Sequence, residues 1–254
     1  MGAPVTCPCA CAERAGKKAV PADTCAVIVA GGSGERFGDP RGKQFVELCG
    51  LPLMCWSIMA FDRAASVARI VVVCAPDRAD EVEGDVLSRL SLAKPVVLAA
   101  SGATRQDSVR SGLEKAPRDL DFVAVHDAAR PLVETEQIEA CIAAVREDRA
   151  LAGAILAARS IDTLKLVEGE TIIATPDRSF YWAAQTPQVF RTPRLVAAHR
   201  SAVRDGYQGT DDASLVERLG GRVRVVESTR DNIKITLPED LAIAEATLMT
   251  KVTG

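Results

Sequence analysis

Short apolar runs rich in β-branched residues alternate with segments of helical periodicity over residues 25–158 of the chain. The runs that predict buried strands are 25–30 (CAVIVA), 69–75 (RIVVVCA), 95–100 (PVVLAA), 121–127 (DFVAVHD) and 152–158 (AGAILAA). Helical patterns lie between them at 51–64, 77–90, 104–116 and 134–148. This alternation predicts an α/β fold with a Rossmann-like, mostly parallel sheet and helices on both faces. Ligands bind such sheets at the carboxyl ends of the strands, so we look for a site just after each strand.

The pattern changes after residue 160. Residues 160–182 contain two short apolar stretches around Glu168-Gly169, which predicts a projecting β-hairpin arm over about 158–182. Further helices are predicted at 191–206, 211–220 and 238–249, and further strands at 222–228 and 232–236. These patterns favour one domain over 23–254 that carries the arm, after a disordered leader over 1–22.

Composition excludes several classes of partner. Of the 254 residues, 48% are hydrophobic and 26% are charged, as in ordinary globular proteins. The net charge of -3 gives no basic field for nucleic acid or an anionic membrane, and aromatic residues, at 4%, are too few for a base-stacking surface. No apolar stretch is long enough to span a bilayer, and the basic residues of the leader follow its apolar part, unlike those of a secretory signal. We therefore expect a cytoplasmic protein that binds neither nucleic acid nor membrane.

The cysteines do not have the spacing of a zinc site. Cys7, Cys9 and Cys11 alternate in the leader, and the other five cysteines are scattered through apolar segments. Neither His126 nor His199 lies near a cysteine pair, as a zinc site requires. The pattern favours buried or free thiols in a reducing compartment, with metal binding by the leader and disulfides as the alternatives.

The segment 30–36 (AGGSGER) follows the first predicted strand, and its glycines indicate a phosphate-binding loop. A dinucleotide fingerprint would need glycine in place of Phe37, and a Walker loop would need Ser or Thr in place of Gln44. A nucleotidyltransferase loop fits, because backbone N–H groups would approach a triphosphate while Arg36 and Lys43 neutralise its charge and that of the leaving pyrophosphate. A structural turn with surface charges is the alternative.

Five further motifs narrow this interpretation: ASGATRQDSV (100–109), VHDAARPLV (125–133), QTPQVF (185–190), GTDDASLVE (209–217) and NIKITLPEDLAIAE (232–245). With the loop, they make residues 25–249 resemble the 2-C-methyl-D-erythritol 4-phosphate cytidylyltransferases. The resemblance implies a fold of the nucleotide-diphospho-sugar transferase type. It also implies transfer of a cytidylyl group from CTP to methylerythritol phosphate in the non-mevalonate isoprenoid pathway, with Mg²⁺ as cofactor and a homodimer formed through the arm.

The same resemblance implies roles for three groups of residues. The catalytic cations would be Arg36, Lys43 and Lys234. The residues around CTP would be Ala30, Gly31, Gly32, Gly34, Gly102, Ala103 and Ser108. The acceptor would be held by Asp127, which would also bind the metal ion, and by Arg130, Thr163 and Arg178. Thr163 and Arg178 lie on the arm and would serve the neighbouring subunit.

The chain departs from the family pattern in two places. Gly42 precedes the loop lysine where the family usually has proline, which bears on the rigidity of the loop. Ser101-Gly102 stands where Gly-Gly is common, and Ala103 stands where the family commonly has an acidic residue. The second departure lies where the base would be recognised, so it bears on selection of cytosine.

Simpler structural roles compete with the functional ones. Asp127 could cap the next turn, and Lys234 could be a solvated lysine on a strand whose isoleucines face the core. Arg105 could form a surface pair with Asp107. We expect His126 to be structural. The arm could also be a flexible hairpin with incidental charges.

Other functions also stay open. A cytidylyltransferase for ribitol 5-phosphate or a related pentose phosphate would share the loop, the HDxxR stretch and the arm. A nucleotide-binding regulator without catalysis is the alternative from another class, although the chain keeps four charges suited to the α-phosphate: Arg36, Lys43, Asp127 and Lys234. A fusion with a following cyclase is not expected, because the sequence ends soon after the last predicted helix.

Overall fold

A computed structural model describes residues 20–32, 34, 37–39 and 41–253, with side chains up to 250. Its strands are β1 (Thr24–Val29), β2 (Glu47–Leu48), β3 (Leu51–Pro52), β4 (Val67–Cys74), β5 (Val96–Ala100), β6 (Phe122–Asp127), β7 (Gly153–Arg159), β8 (Leu166–Glu168), β9 (Thr171–Ala174), β10 (Trp182–Arg191) and β11 (Val223–Glu227). Its α-helices are α1 (Leu53–Arg63), α2 (Ala79–Glu81), α3 (Arg105–Lys115), α4 (Thr135–Glu147), α5 (Thr192–Arg204), α6 (Asp212–Arg218) and α7 (Glu239–Thr253). The predicted leader, with Cys7, Cys9 and Cys11, lies almost entirely outside these residues.

Seven strands form the central sheet, in the order β11-β7-β10-β6-β1-β4-β5. All neighbouring pairs are parallel except the two made by β10, which runs antiparallel to both β6 and β7. In the register of the sheet, Val29 at the end of β1 lies between Val73 of β4 and Asp127 of β6. The loops that follow β1, β5 and β6 therefore meet at one edge of the sheet.

Helices cover both faces of the sheet, which confirms the predicted fold class. On one face, side chains of α1 and α4 such as Phe61 and Ile142 pack into a large buried cluster with the sheet. On the other face, α3 and α5 contribute Val109 and Leu195 to a second cluster. α3 approaches the sheet closely at Gly112, where an added Cβ would lie 2.5 Å from Val27 Cγ1. None of the described helices is both long enough and apolar enough to cross a membrane.

Three predictions of local structure are wrong. Residues 232–236 form no strand, because their backbone bonds to loops instead: Ile235 N–H donates to Ala129 O at 2.8 Å. Strand β10 is missed, because Gln185, Thr186, Pro187 and Gln188 interrupt its apolar pattern. Residues 77–90 form a succession of 3₁₀, α and π turns and not one helix. Gly84 and the run of carboxylates around it disfavour a regular helix there.

The segment from 160 to 181 extends from the end of β7 to the start of β10. Strands β8 and β9 pair antiparallel across Gly169, which has a φ of +59°. Every residue of both strands is exposed, including the apolar Leu166, Ile172 and Ile173. The five cysteines in the described part of the chain are free thiols, and four of them are buried.

Candidate active site

A cavity of about 540 Å³ opens at the edge of the sheet where β1, β5 and β6 end. Nine of the residues that the sequence proposed for the site line it: Ala30, Gly31, Gly32, Lys43, Gly102, Ala103, Ser108, Asp127 and Lys234. They come from five separate segments of the chain. The fold therefore brings together six of the seven residues proposed for CTP and two of the three proposed cations.

The remaining candidates lie elsewhere. Arg36 falls outside the described residues. Gly34 belongs to the loop but not to the lining of the cavity, and Arg130 donates to Asn232 O at 2.7 Å and to Ala184 O at 3.3 Å. Thr163 and Arg178 lie on the exposed arm, where Arg178 donates to Ile161 O at 2.6 Å. These two side chains do not line the cavity of their own chain.

Glycines let the loop after β1 approach its neighbours. Gly34 has a φ of +68°, and an added Cβ there would lie 2.9 Å from the backbone nitrogen of Lys43. At Gly31 an added Cβ would lie 2.2 Å from Ser101 Cβ, on the loop after β5. Gly42, where the family usually has proline, has a φ of +91°, which proline cannot adopt. The loop of this chain therefore reaches Lys43 by a backbone path that depends on glycine.

Lys43 connects two segments that line the cavity. It begins a 3₁₀ turn over Lys43–Phe45, and its Nζ donates to Ile235 O at 2.8 Å. Ile235 is fully buried, whereas the neighbouring Lys234 is partly exposed. The isoleucines and the lysine thus point as the sequence predicted, although the segment is not a strand.

The loop after β5 is organised by the start of α3. Thr104 caps the helix by accepting from the Asp107 N–H at 3.1 Å. The Ser108 hydroxyl donates to Thr104 O at 2.9 Å and accepts from the Gly102 N–H at 3.1 Å. An added Cβ at Gly102 would lie 2.3 Å from Asp107 Cβ, so only glycine fits here without a shift. These contacts fix the backbone of Gly102 and Ala103 against the cavity.

The Asp127 carboxylate is held by two cations. Arg105 Nε donates to Oδ1 at 2.9 Å, and Lys234 Nζ donates to Oδ2 at 2.6 Å. Burial raises the pKa of Asp127, but the charges of Arg105 and Lys234 outweigh it and hold that pKa well below its usual range. The carboxylate is therefore ionised at neutral pH. The side-chain oxygens of Asp127 accept from Arg105 and Lys234 and not from a backbone N–H of the following turn, so the suggested role as a turn cap is wrong.

Arg105 lines the cavity, although it is not among the residues that the sequence proposed for the site. The suggested surface pair with Asp107 is wrong, because Asp107 pairs with Arg110 at 3.1 Å and with the Thr104 hydroxyl. Arg105 instead bridges Asp127 and Asp212, whose Oδ2 it reaches at 2.7 Å. Asp212 lies 107 positions further along the chain, so no local pattern indicates the pair.

His126 has a structural environment, as expected. Its ring is fully buried, with Nδ1 3.0 Å from the Thr186 hydroxyl and Nε2 3.2 Å from Arg130 O. Burial lowers its pKa to about 4, although the neighbouring Asp127 acts in the opposite direction. Thr186 also accepts from the Asp127 N–H at 3.0 Å. His126 thus supports the backbone on which Asp127 lies.

The donor groups of the cavity suit a magnesium ion bound mainly by a ligand. Within the searched part of the chain, no three His, Cys, Asp or Glu side chains cluster as a protein-only metal site would require. Asp127 is the carboxylate that lines the cavity, beside the glycine loop. Magnesium is commonly held by one or two carboxylates together with substrate phosphates and water. Each oxygen of Asp127 accepts one hydrogen bond from a cation and has a second lone pair that can face the ion, so the carboxylate fits this chemistry.

Comparison with known proteins decides the family. The model of the 2-C-methyl-D-erythritol 4-phosphate cytidylyltransferase family matches residues 24–250. The chain belongs to this family. The cytidylyltransferase of Prochlorococcus marinus (strain MIT 9313) is 45% identical over 226 residues, which are 87% of this chain and 96% of that protein. The one of Caldanaerobacter subterraneus subsp. tengcongensis is 41% identical over 221 residues, which are 87% and 96% of the two chains.

Solved structures of cytidylyltransferases have the same fold. The 4-diphosphocytidyl-2C-methyl-D-erythritol synthase of Anaerococcus prevotii superposes with a TM-score of 0.79 at 27% identity, over 89% of this chain and 96% of that one. The cytidylyltransferase of Thermus thermophilus gives a TM-score of 0.70 at 32% identity, over 88% of this chain and 98% of that one. The match extends over nearly the whole of each relative, so the cavity belongs to a domain that this family shares.

Proposed function

We propose that this chain transfers a cytidylyl group from CTP to 2-C-methyl-D-erythritol 4-phosphate, giving 4-diphosphocytidyl-2-C-methyl-D-erythritol and pyrophosphate. The observation that carries the proposal is that Lys43, Asp127 and Lys234 line one cavity together with the glycine loop. Membership of the cytidylyltransferase family supports it. The relatives reported above are named for methylerythritol phosphate, which favours this acceptor over ribitol 5-phosphate.

The reaction needs no general base. An oxygen of the acceptor phosphate attacks the α-phosphorus of CTP, and the bond from that phosphorus to the bridging oxygen of the β-phosphate breaks as pyrophosphate leaves. A phosphate monoester has a second pKa of about 6, so at neutral pH the nucleophile is already a dianion. The enzyme must therefore supply position and positive charge.

The chain has residues placed for both tasks. Lys43 and Lys234 lie in the cavity, where their charges would stabilise the transition state and pyrophosphate. We assign Arg36 the same task on the resemblance of its loop. Gly102, Ala103 and Ser108 would face the nucleoside, and Arg130 would support the acceptor side. A magnesium ion, when bound, would be held by Asp127 and by phosphate oxygens, and would withdraw charge from the triphosphate.

The arm would complete the site of a second subunit. Thr163 and Arg178 do not line the cavity of their own chain. An isolated hairpin with exposed apolar side chains is marginally stable in water, so the arm needs a surface to pack on. A homodimer in which each arm reaches the partner's cavity would satisfy both points. Sedimentation analysis tests this, since a monomer at all concentrations that still turns over would contradict it.

We also propose a cytoplasmic location, on the ground that CTP is made and used there. Cell fractionation followed by the activity assay tests this location.

The activity is tested by pyrophosphate release from CTP and Mg²⁺ with methylerythritol phosphate in one reaction and ribitol 5-phosphate in another. We expect turnover with the first acceptor and a product whose mass is that of the acceptor plus a cytidylyl group. Turnover with ribitol 5-phosphate alone would keep the mechanism and change the acceptor. If the protein binds CTP but turns over neither acceptor, the result would favour a nucleotide-binding regulator without catalysis.

A further inference from the structure

Arg105 joins the cavity to a buried carboxylate behind it. Its Nε donates to Asp127 Oδ1 at 2.9 Å, and its Nη1 donates to Asp212 Oδ2 at 2.7 Å. The Arg105 side chain is 29% exposed and lines the cavity, whereas the Asp212 side chain is 1% exposed. The guanidinium group therefore spans from the wall of the cavity to the interior of the domain.

Asp212 is itself held in place. It begins α6, and its Oδ1 lies 3.0 Å from Nε2 of His199, a residue of α5 that is 2% exposed. The preceding Asp211 caps α6 by accepting from the Ser214 N–H at 2.9 Å, and accepts from Gln188 at 2.7 Å. Arg105 is thus anchored to two packed helices and not to a mobile loop.

This anchor has a consequence for Asp127. An arginine that faces a single carboxylate tends to bind both of its oxygens in a bidentate pair. Here one branch of the guanidinium group is committed to Asp212, so Arg105 engages only Oδ1 of Asp127. Oδ2 is left to accept from Lys234 at 2.6 Å. The arrangement in which Oδ1 of Asp127 accepts from Arg105 and Oδ2 accepts from Lys234 therefore depends on Asp212.

The position of Lys234 depends in turn on Asp127. The Lys234 side chain is 40% exposed and belongs to a segment outside any strand, so the long side chain has several conformations open to it. Its ion pair with Oδ2 is the contact that directs the ammonium group to the cavity. A misplacement of about 1 Å in a catalytic group can cost on the order of 100-fold in rate.

We propose that Arg105 and Asp212 are positioning residues, which orient the Asp127 carboxylate so that Lys234 is aimed at the reacting phosphate. This proposal rests on the proposed cytidylyl transfer. Arg105 and Asp212 lie in two of the sequence motifs, but the resemblance gave neither of them a role in the reaction. His199 has the supporting role of holding Asp212 by its second oxygen.

The experiment compares Asp212→Asn with Asp211→Asn in steady-state kinetics with CTP and methylerythritol phosphate. Asp212→Asn removes the negative charge that Arg105 faces and leaves one acceptor oxygen where the carboxylate has two. We therefore expect kcat to fall about 10-fold or more, with KM for CTP changed by less than about threefold. Asp211→Asn is the same chemical change on the adjacent residue. It weakens the contact with Gln188 but does not touch Arg105, so kcat should stay within about twofold of the unaltered enzyme.

A second comparison separates positioning from a general loss of structure. If Asp212 acts through Lys234, Asp212→Asn should lower kcat much less in a Lys234→Ala background than in the unaltered enzyme. An equal fold-change in both backgrounds would overturn the proposal, as would an equal loss of kcat in Asp211→Asn. If the unaltered enzyme has no turnover, the proposed function is wrong. If it turns over and only the comparison of variants fails, the proposed function holds and this inference is wrong.

Arg105→Lys provides the same test if Asp212→Asn does not fold. It keeps a positive charge beside the buried Asp212, but a lysine cannot span two carboxylates as the rigid guanidinium group does. We expect the same fall in kcat, again much reduced in the Lys234→Ala background. Turnover of Arg105→Lys equal to that of the unaltered enzyme would show that bridging is not required.

Discussion

At the scale of single residues, the two lysines that line the cavity are each held by a contact within the protein. Lys43 is fixed to Ile235 O and Lys234 to the Asp127 carboxylate, so both are oriented before a ligand arrives. Such preorganised groups contribute little reorganisation cost when charge develops.

Lys43→Ala and Lys234→Ala should therefore lower kcat by roughly 100-fold to 1,000-fold each, with smaller changes in KM for CTP. Initial rates of pyrophosphate release over a range of CTP concentrations measure both constants. The matched control is Lys115→Ala, which removes an exposed lysine in the last turn of α3, and should change neither constant. A rise in KM without a fall in kcat would mean that the two lysines only bind CTP.

We expect His126 to make the stability of the protein sensitive to acid between about pH 6.5 and pH 4. Burial lowers its pKa from 6.5 to about 4, with Asp127 favouring the charged ring and Arg130 opposing it. The unfolded chain therefore binds the proton at higher pH than the folded one, and stability that is present above pH 6.5 is lost as the pH falls toward 4. A pKa difference of this size corresponds to about 3 kcal/mol in the free energy of unfolding.

Denaturant unfolding between pH 7 and pH 4 measures this loss. In His126→Gln the decrease over that range should be smaller by about the stated amount, although the variant starts from lower stability. The pKa of Asp127 lies below its usual range, so its own contribution is lost only at more acidic pH and does not obscure the comparison. The same pH dependence in both proteins would contradict the assignment to His126.

At the scale of elements, the cavity depends on the close approach of the loops after β1 and β5. Gly31 on the first loop lies against Ser101 on the second, so close that an added Cβ would be 2.2 Å from Ser101 Cβ and 2.7 Å from Ser101 Oγ. The Ser101 backbone, at its Cα atom, would be 3.6 Å away, which is an ordinary van der Waals distance. The serine side chain therefore makes glycine necessary at position 31.

Gly31→Ala should push the two loops apart and raise KM for CTP by about 10-fold, as overpacking of this kind typically costs 1–3 kcal/mol. Adding Ser101→Gly should return KM to within about threefold of the unaltered enzyme, because the new methyl group then meets only backbone at an ordinary distance. Gly84→Ala, where an added Cβ has nothing within 4 Å, is the control and should leave KM unchanged. If the double variant is no better than Gly31→Ala, the methyl group acts on CTP directly and not through Ser101.

The elements were largely predictable because β1, β4, β5, β6 and β7 are short apolar runs with polar ends. Strand β10 was not, since Pro187 and its polar neighbours hide a strand that tertiary contacts stabilise. The loop residues of the cavity followed from motifs that lie at strand ends. Arg105 and Asp212 did not, because an ion pair between residues 107 positions apart has no local signal.

At the scale of the whole molecule, two residues proposed for the acceptor, Thr163 and Arg178, lie away from the cavity of their own chain. The cavity contains the groups suited to CTP, whereas Thr163 and Arg178 lie on an arm with exposed apolar residues, among them Phe180, which is 81% exposed. In the proposed dimer each site would combine the cavity of one subunit with the arm of the other. Such a dimer predicts that two inactive variants can restore activity to each other. A monomer, or a dimer in which each arm serves its own chain, would show no such recovery.

Subunits carrying Lys43→Ala and subunits carrying Arg178→Ala should complement each other. At low acceptor concentration each variant alone should have little activity. Lys43→Ala alters the cavity of its own subunit, and Arg178→Ala alters the arm that would reach the cavity of the partner subunit. Co-expression or reassembly in equal amounts gives half mixed dimers, and in each of these one site has both an intact cavity and an intact arm. Turnover should therefore recover to about one quarter of that of the unaltered enzyme. Mixing Lys43→Ala with the double variant Lys43→Ala/Arg178→Ala leaves no intact cavity and should recover nothing, whereas absence of recovery in the first mixture would show that the arm acts on its own chain.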